Sequence, residues 1–82
     1  MDDFQYINNI KIYPNPTTNY IKIKDSQETI IKYKIYDTLG KLIKLESEFK
    51  SELIDMSNLI KGTYFVTLYF ENFSKTFKIL KN

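Results

Sequence analysis

Two carboxylates, Asp37 and Asp55, are the residues best suited by type to acid–base chemistry, and each sits where an alternating apolar–polar segment ends. A carboxylate pair flanking a cleft is the machinery of glycoside hydrolysis. Aspartates at strand ends have a plainer job, accepting hydrogen bonds from the backbone of a turn, and that is the expectation for both. Other repertoires fail on composition. The 82 residues include no His and no Cys, which excludes imidazole-based triads, His- or thiolate-bound metals and disulfides. The two glycines, Gly40 and Gly62, lie in separate turns and cannot form a phosphate cradle. No catalytic residue, cofactor or metal site is expected, and the chain does not read as an enzyme.

The charge is mildly basic, 12 Lys against 10 Asp and Glu, and every basic residue is Lys. Without the planar guanidinium fork that makes bidentate contacts to phosphates and bases, a nucleic-acid partner is not expected. Lys22, Lys24, Lys32 and Lys34 are expected on solvent faces of adjoining strands. There they could meet acidic partners or anionic lipopolysaccharide, or simply form the solvated side of a small sheet. Phe65 and Tyr69 are expected to point outward, as a contact surface or under loops. The sequence "NFS" at 72–74 fits an N-glycosylation sequon but reads equally as a hairpin turn. No stretch approaches the roughly 20 apolar residues of a membrane span, so no membrane insertion is expected. The opening "MDDFQYINN" is acidic and has no apolar core of the kind a signal peptide needs. Residues 1–9 read as a linker remnant or flexible N-terminus, and residues 10–82 as one domain.

The elements that must position these residues are strands. Ala, the best helix former, is absent, while Ile, Tyr and Phe abound. Period-2 alternation marks seven short segments between turn signals. They lie at 10–13, 19–24, 30–37, 41–49, 52–56, 63–70 and 75–81. Ile21 and Ile23 face in on the second, Ile31, Tyr33 and Ile35 on the third. Tyr64, Val66, Leu68 and Phe70 face in on the sixth, Phe77 and Ile79 on the last. Asp37 and Gly40 close a hairpin, and 57–62 reads as one turn of 3₁₀ helix ended by Gly62. This is the pattern of an all-β, antiparallel sandwich. A domain this small buries only about 60% of the surface its unfolded chain exposes, so its stability is modest.

"YPNP" at 13–16 is the strongest local constraint. Pro14 and Pro16 lock φ near −65° and remove two N–H donors, and each pushes Tyr13 or Asn15 away from helical geometry. The segment is expected to end the first strand, pair no further, and let the chain cross to the second.

In order along the chain come "IYPNPTTNYIKI", "KIYDTLGKLIK", "IDMSNLIKGTYFVTLYF" and the basic end "KTFKILKN". Together these resemble the type A C-terminal sorting domain of the type IX secretion system of Bacteroidetes, over about residues 10–82. The resemblance implies an immunoglobulin-like sandwich of about seven strands, the last part of a larger secreted protein. It implies a role as address for the outer-membrane type IX translocon, directing an N-terminally fused cargo through the periplasm to the cell surface or beyond. It also implies removal by a sortase-like cysteine peptidase, with attachment of the cargo to anionic lipopolysaccharide. Carried over by position, the signature residues are Pro14, Asn15, Pro16, Tyr36, Asp37, Gly40, Leu59, Gly62 and Tyr64. Lys75, Lys78 and Lys81 are the candidates for translocon recognition on an accessible last strand. Asp37, Thr38 and Leu39 also fit an Asp-Thr/Ser-apolar O-glycosylation site, or a plain hairpin tip. The alternative function is a small β-sandwich carbohydrate- or protein-binding module appended to a secreted enzyme, although Trp, a frequent sugar platform, is missing.

Overall fold

A computed structural model describes residues 10–24, 29–47 and 52–82. The N-terminal segment, the polar turn at 25–28 and the end of the fourth predicted strand lie outside the described residues. Among the described residues seven strands form: β1 Lys11–Tyr13, β2 Tyr20–Lys24, β3 Lys32–Tyr36, β4 Leu42–Ser47, β5 Leu53–Asp55, β6 Gly62–Tyr69 and β7 Ser74–Lys81. They make two antiparallel sheets, one ordered β1-β2-β5 and the other β4-β3-β6-β7. No helix occurs among the described residues. This is the expected immunoglobulin-like sandwich, in the variant where the fourth strand pairs with the third and leaves the fifth at an edge.

The alternation in the sequence becomes the core. Ile21 and Ile23 from β2 and Ile54 from β5 meet Tyr33, Ile35, Tyr64, Val66, Leu68 and Ile79 of the other sheet, and Met56 fills in beside them. Each fully buried aliphatic side chain contributes about 1.5–3 kcal/mol relative to exposure. One expectation is corrected. Ile31 is 46% exposed, and Ile30 enters the core instead. The regular strand begins only at Lys32, so the inward alternation does not extend back to Ile31, although its N–H still bonds to Tyr69 C=O at 2.8 Å.

The edge strand β4 is handled differently. All its residues are exposed or half-buried, and its register shifts opposite Ile35 and Tyr36. Lys44, paired with the buried Ile35, lays its ammonium 5.8 Å from the Tyr33 ring centre and reaches the Asp55 carbonyl at 3.3 Å. An inward-pointing charge and a bulge both discourage an edge from pairing with other chains.

Both aspartates are turn caps. Asp37 Oδ1 accepts from Leu39 N–H and Lys41 N–H, each at 2.9 Å, and Gly40 supplies the left-handed residue at φ +85°. Asp55 Oδ1 accepts from Ser57 N–H at 2.9 Å and Ser57 Oγ–H at 2.7 Å. The two carboxylates cap loops on strands of different sheets. The expected 3₁₀ turn is a simple turn, closed by Leu59 N–H on Met56 C=O at 3.1 Å and started by the Asp55 cap.

The Ser57 hydrogen bonds, side chain before backbone, hold the Asp55 carboxyl below its ordinary value of 3.8. Because the folded value is the lower one, the cap's contribution to stability is complete above the ordinary value. It is lost as pH falls through the depressed one. An NMR titration should therefore place the Asp55 midpoint below 3.8, and Ser57→Ala should move it up. An unshifted midpoint in the unmodified protein would contradict the cap.

Candidate functional site

The segment 13–17 was expected to stop pairing after β1. It does not: it crosses to the other sheet and lies along the outer edge of β7. Thr17 forms a parallel bridge with Lys81. Its N–H bonds to Leu80 C=O and its C=O accepts from Asn82 N–H, both at 2.8 Å. Thr17 is 1% exposed, and its hydroxyl bonds to Tyr20 C=O. Both X–Pro peptide bonds, Tyr13–Pro14 and Asn15–Pro16, are cis.

The two prolines strip the segment of donors just where it meets β7, and Asn15 replaces them. Its side-chain amide donates from Nδ2 to Lys78 C=O and accepts at Oδ1 from Leu80 N–H, both at 3.0 Å. One planar amide thus presents a donor and an acceptor side by side, as a backbone strand would. Only Asn or Gln offers both, and an ionised Asp offers acceptors alone. From Lys78 to Asn82, then, the outer edge of β7 is closed by Asn15 and Thr17.

The same end of β7 is tied to the corner before β6. Tyr64 OH donates to Ile60 C=O, the tyrosine-corner arrangement of sandwich domains, with Leu59 packed against the core cluster that holds Tyr64. Lys81 is 8% exposed, and its ammonium donates to Leu59 C=O at 3.1 Å and Asn82 C=O at 3.3 Å. Gly62, paired with Lys81, has φ +155°, a backbone rarely open to other residues. One cross-sheet row sets Tyr36 beside Phe65 and Phe65 beside Lys78. The hairpin of Asp37 and Gly40 follows directly on Tyr36. Every signature position therefore gathers at one end of the four-stranded sheet.

These motifs are distant in sequence and joined in space. The secretion system C-terminal sorting domain matches residues 11–82 of this chain. The chain belongs to that family. No curated protein sequence matches it significantly. A sorting domain of this kind is a targeting module of type IX secretion, not a catalytic one, and it works with that secretion system to take proteins to the cell surface or outside.

In the sorting domain the three candidate lysines have different surroundings. Lys78 is exposed on the outer face, Lys75 is half-buried with its ammonium 5.5 Å from the Phe77 ring centre, and Lys81 is the internal tie just described. The basic patch divides. Lys22 and Lys24 lie on β2 and Lys32 and Lys34 on β3, in different sheets, so these strands do not adjoin. Lys32 and Lys34 instead cover the Tyr69 ring at 5.0 and 5.3 Å. Phe65 and Tyr69 are both half-buried, Tyr69 under these lysines rather than loops. A hydrogen bond with Tyr36 also raises the Tyr69 pKa. Among the described residues no group of three or more acidic, His or Cys side chains gathers to hold a metal, and no helix is long and apolar enough to cross a membrane. Sequence reasoning missed Thr17 and Lys44. Thr17 could have been noticed as the first residue after "PNP" with a free N–H; Lys44 carries no local signal.

Asn15→Ala removes two hydrogen bonds, each worth about 0.5–1.5 kcal/mol. It should lower the thermal midpoint by about 4–8 °C per kcal/mol lost. Asn15→Asp keeps the acceptor but sets a carboxylate against the Lys78 carbonyl, and should cost about as much. An Asn15→Asp protein as stable as the parent at neutral pH would show that the amide is not standing in for a strand.

Proposed function

We propose that this domain directs an N-terminally fused cargo through the outer-membrane type IX translocon. A sortase-like cysteine peptidase then removes the domain, and the cargo is released or anchored at the surface. The observation that carries the reading is the family match over 11–82, which spans all seven strands. The architecture supports it. The domain presents its last strand at the surface and builds its signature residues around the end of that strand. Lys75 and Lys78 are the lysines open to a receptor, and Lys81 holds the terminus to the 59–62 corner. In this reading the domain is a ligand of the export machinery and a substrate of its peptidase, present in the periplasm only in transit.

A carbohydrate-binding module is the alternative, favoured by a shallow groove of about 330 Å³ beside the exposed Tyr13 and Tyr20. One experiment separates the two. A periplasmic reporter fused to the domain is expressed in a strain with a working type IX system. The intact domain should bring the reporter to the cell surface or the medium. A version lacking residues 75–82, and the full-length Lys75→Glu/Lys78→Glu variant that keeps β7, should leave it in the periplasm. A binding module would leave every version there. Equal surface delivery by all three would mean that the terminal strand is not the signal.

A further inference from the structure

We infer that the upper part of the β7 edge, residues 74–78, is a docking site for an extended strand bearing acidic side chains, supplied by a partner. The inference deepens the sorting reading and rests on it for the existence of that partner. It starts from how the fold treats its sheet edges. An unpaired edge invites pairing with another chain, and proteins blunt such edges by shortness, proline, bulges or inward charge. Here β1 and β5 have three residues each, and β1 ends against Pro14. β4 carries the register shift and Lys44. The lower half of β7 is closed by Asn15 and Thr17. β7 is eight residues long, and its upper half has no such cover among the described residues.

The backbone there is set to pair. Lys78 C=O, both backbone groups of Leu80 and Asn82 N–H turn away from β6 toward the 15–17 segment. The period of two in a strand turns Thr76 N–H and C=O and Lys78 N–H to that same side. An incoming strand would therefore lie in line with the 15–17 segment and continue the pairing it begins. This is strand addition to a sheet edge, in which backbone bonds supply affinity and alternate side chains supply specificity.

The side chains define the partner. Lys78 flanks the edge on the outer face. On the inner face Lys75 stands over Phe77, whose ring is only partly buried. Residues 74–82 contain no acidic side chain. A partner strand fits best with acids beside Lys75 and Lys78 and an apolar residue beside Phe77. Two copies of this chain paired there would instead gather four ammonium groups on one short edge, with no counter-charge from residues 74–82. The lysines thus disfavour self-pairing and select a complementary strand.

The test uses the purified 82-residue chain and amide hydrogen exchange followed by NMR. The probes are the capped peptide Ac-Thr-Val-Glu-Val-Thr-Glu-Val-Thr-NH2 and the same peptide with both Glu replaced by Lys. At millimolar concentration the acidic peptide should slow exchange of the Thr76 and Lys78 amides by about fivefold or more, and the basic peptide should not. Lys75→Glu/Lys78→Glu should reverse that preference. Thr76→Pro deletes an N–H that β6 does not use, a position where edge strands accept proline. It also removes the hydroxyl that pairs with the buried Thr67 Oγ1 at 2.8 Å, so the unfolding midpoint should fall while the transition stays cooperative, and the peptide-induced protection at Lys78 should be lost. Three results would overturn the inference: no protection by the acidic peptide, equal protection by both peptides, or protection without peptide that grows with protein concentration. The last would mean that copies of this chain pair there. No step involves export, so failure here leaves the sorting reading standing. Failure of the reporter fusion, conversely, leaves the edge chemistry intact.

Discussion

Between Tyr13 and Thr17 the chain must cross from one sheet to the other with two of its five backbone donors removed by proline. The structure depends on how that shortage is met. The Asn15 side-chain amide supplies a donor and an acceptor to the β7 backbone, and Thr17 supplies the next two bonds. β1 belongs to the three-stranded sheet and β7 to the four-stranded one. This short segment is therefore a lateral strap between layers otherwise joined by apolar packing. Tight packing holds the layers face to face; the strap fixes how they meet at one edge.

The other signature residues reinforce that end. The carbonyls of residues 59 and 60 receive the Lys81 ammonium and the Tyr64 hydroxyl. The Asp37–Gly40 hairpin follows Tyr36, which lies in one row with Phe65 and Lys78. Asn15 satisfies backbone groups of the terminal strand, while Tyr64, Lys81 and Asp37 satisfy those of the corner and the hairpin near it. The signature positions thus surround the held end of the last strand. Residues 78–82 are held firmly, and residues 74–78 are left as the open stretch of the same strand.

Much of this was legible in the chain. Period-2 alternation located all seven strands, and the inward Ile of β2, Tyr33 and Ile35 of β3 and the even-numbered apolar face of β6 are buried as read. The Asp37 cap, the Gly40 turn and the Tyr64 corner were also readable, because each is closed within about four residues. What escaped has long-range causes. Asn15 and Thr17 find partners more than sixty positions away, and only the tertiary fold shows that a donor-poor segment has a strand beside it. Lys44 reads as one more solvent-facing lysine until the opposite sheet comes within its reach. The four lysines at 22, 24, 32 and 34 look alike by spacing, and only the strand order divides them. Ile31 failed for a local reason, since alternation counted back from Ile35 cannot see where the strand begins.

Amide exchange along β7 of the unmodified domain, without any ligand, tests the central claim most directly. Leu80 and Asn82 should be protected, because Asn15 Oδ1 and Thr17 C=O hold their N–H groups, while Thr76 and Lys78 on the same edge should exchange freely. Asn15→Ala should release Leu80 and leave Asn82 slow. If Leu80 and Asn82 exchange as fast as Thr76, the segment of the two prolines does not close the strand edge, and the account of how this domain presents its terminus is wrong.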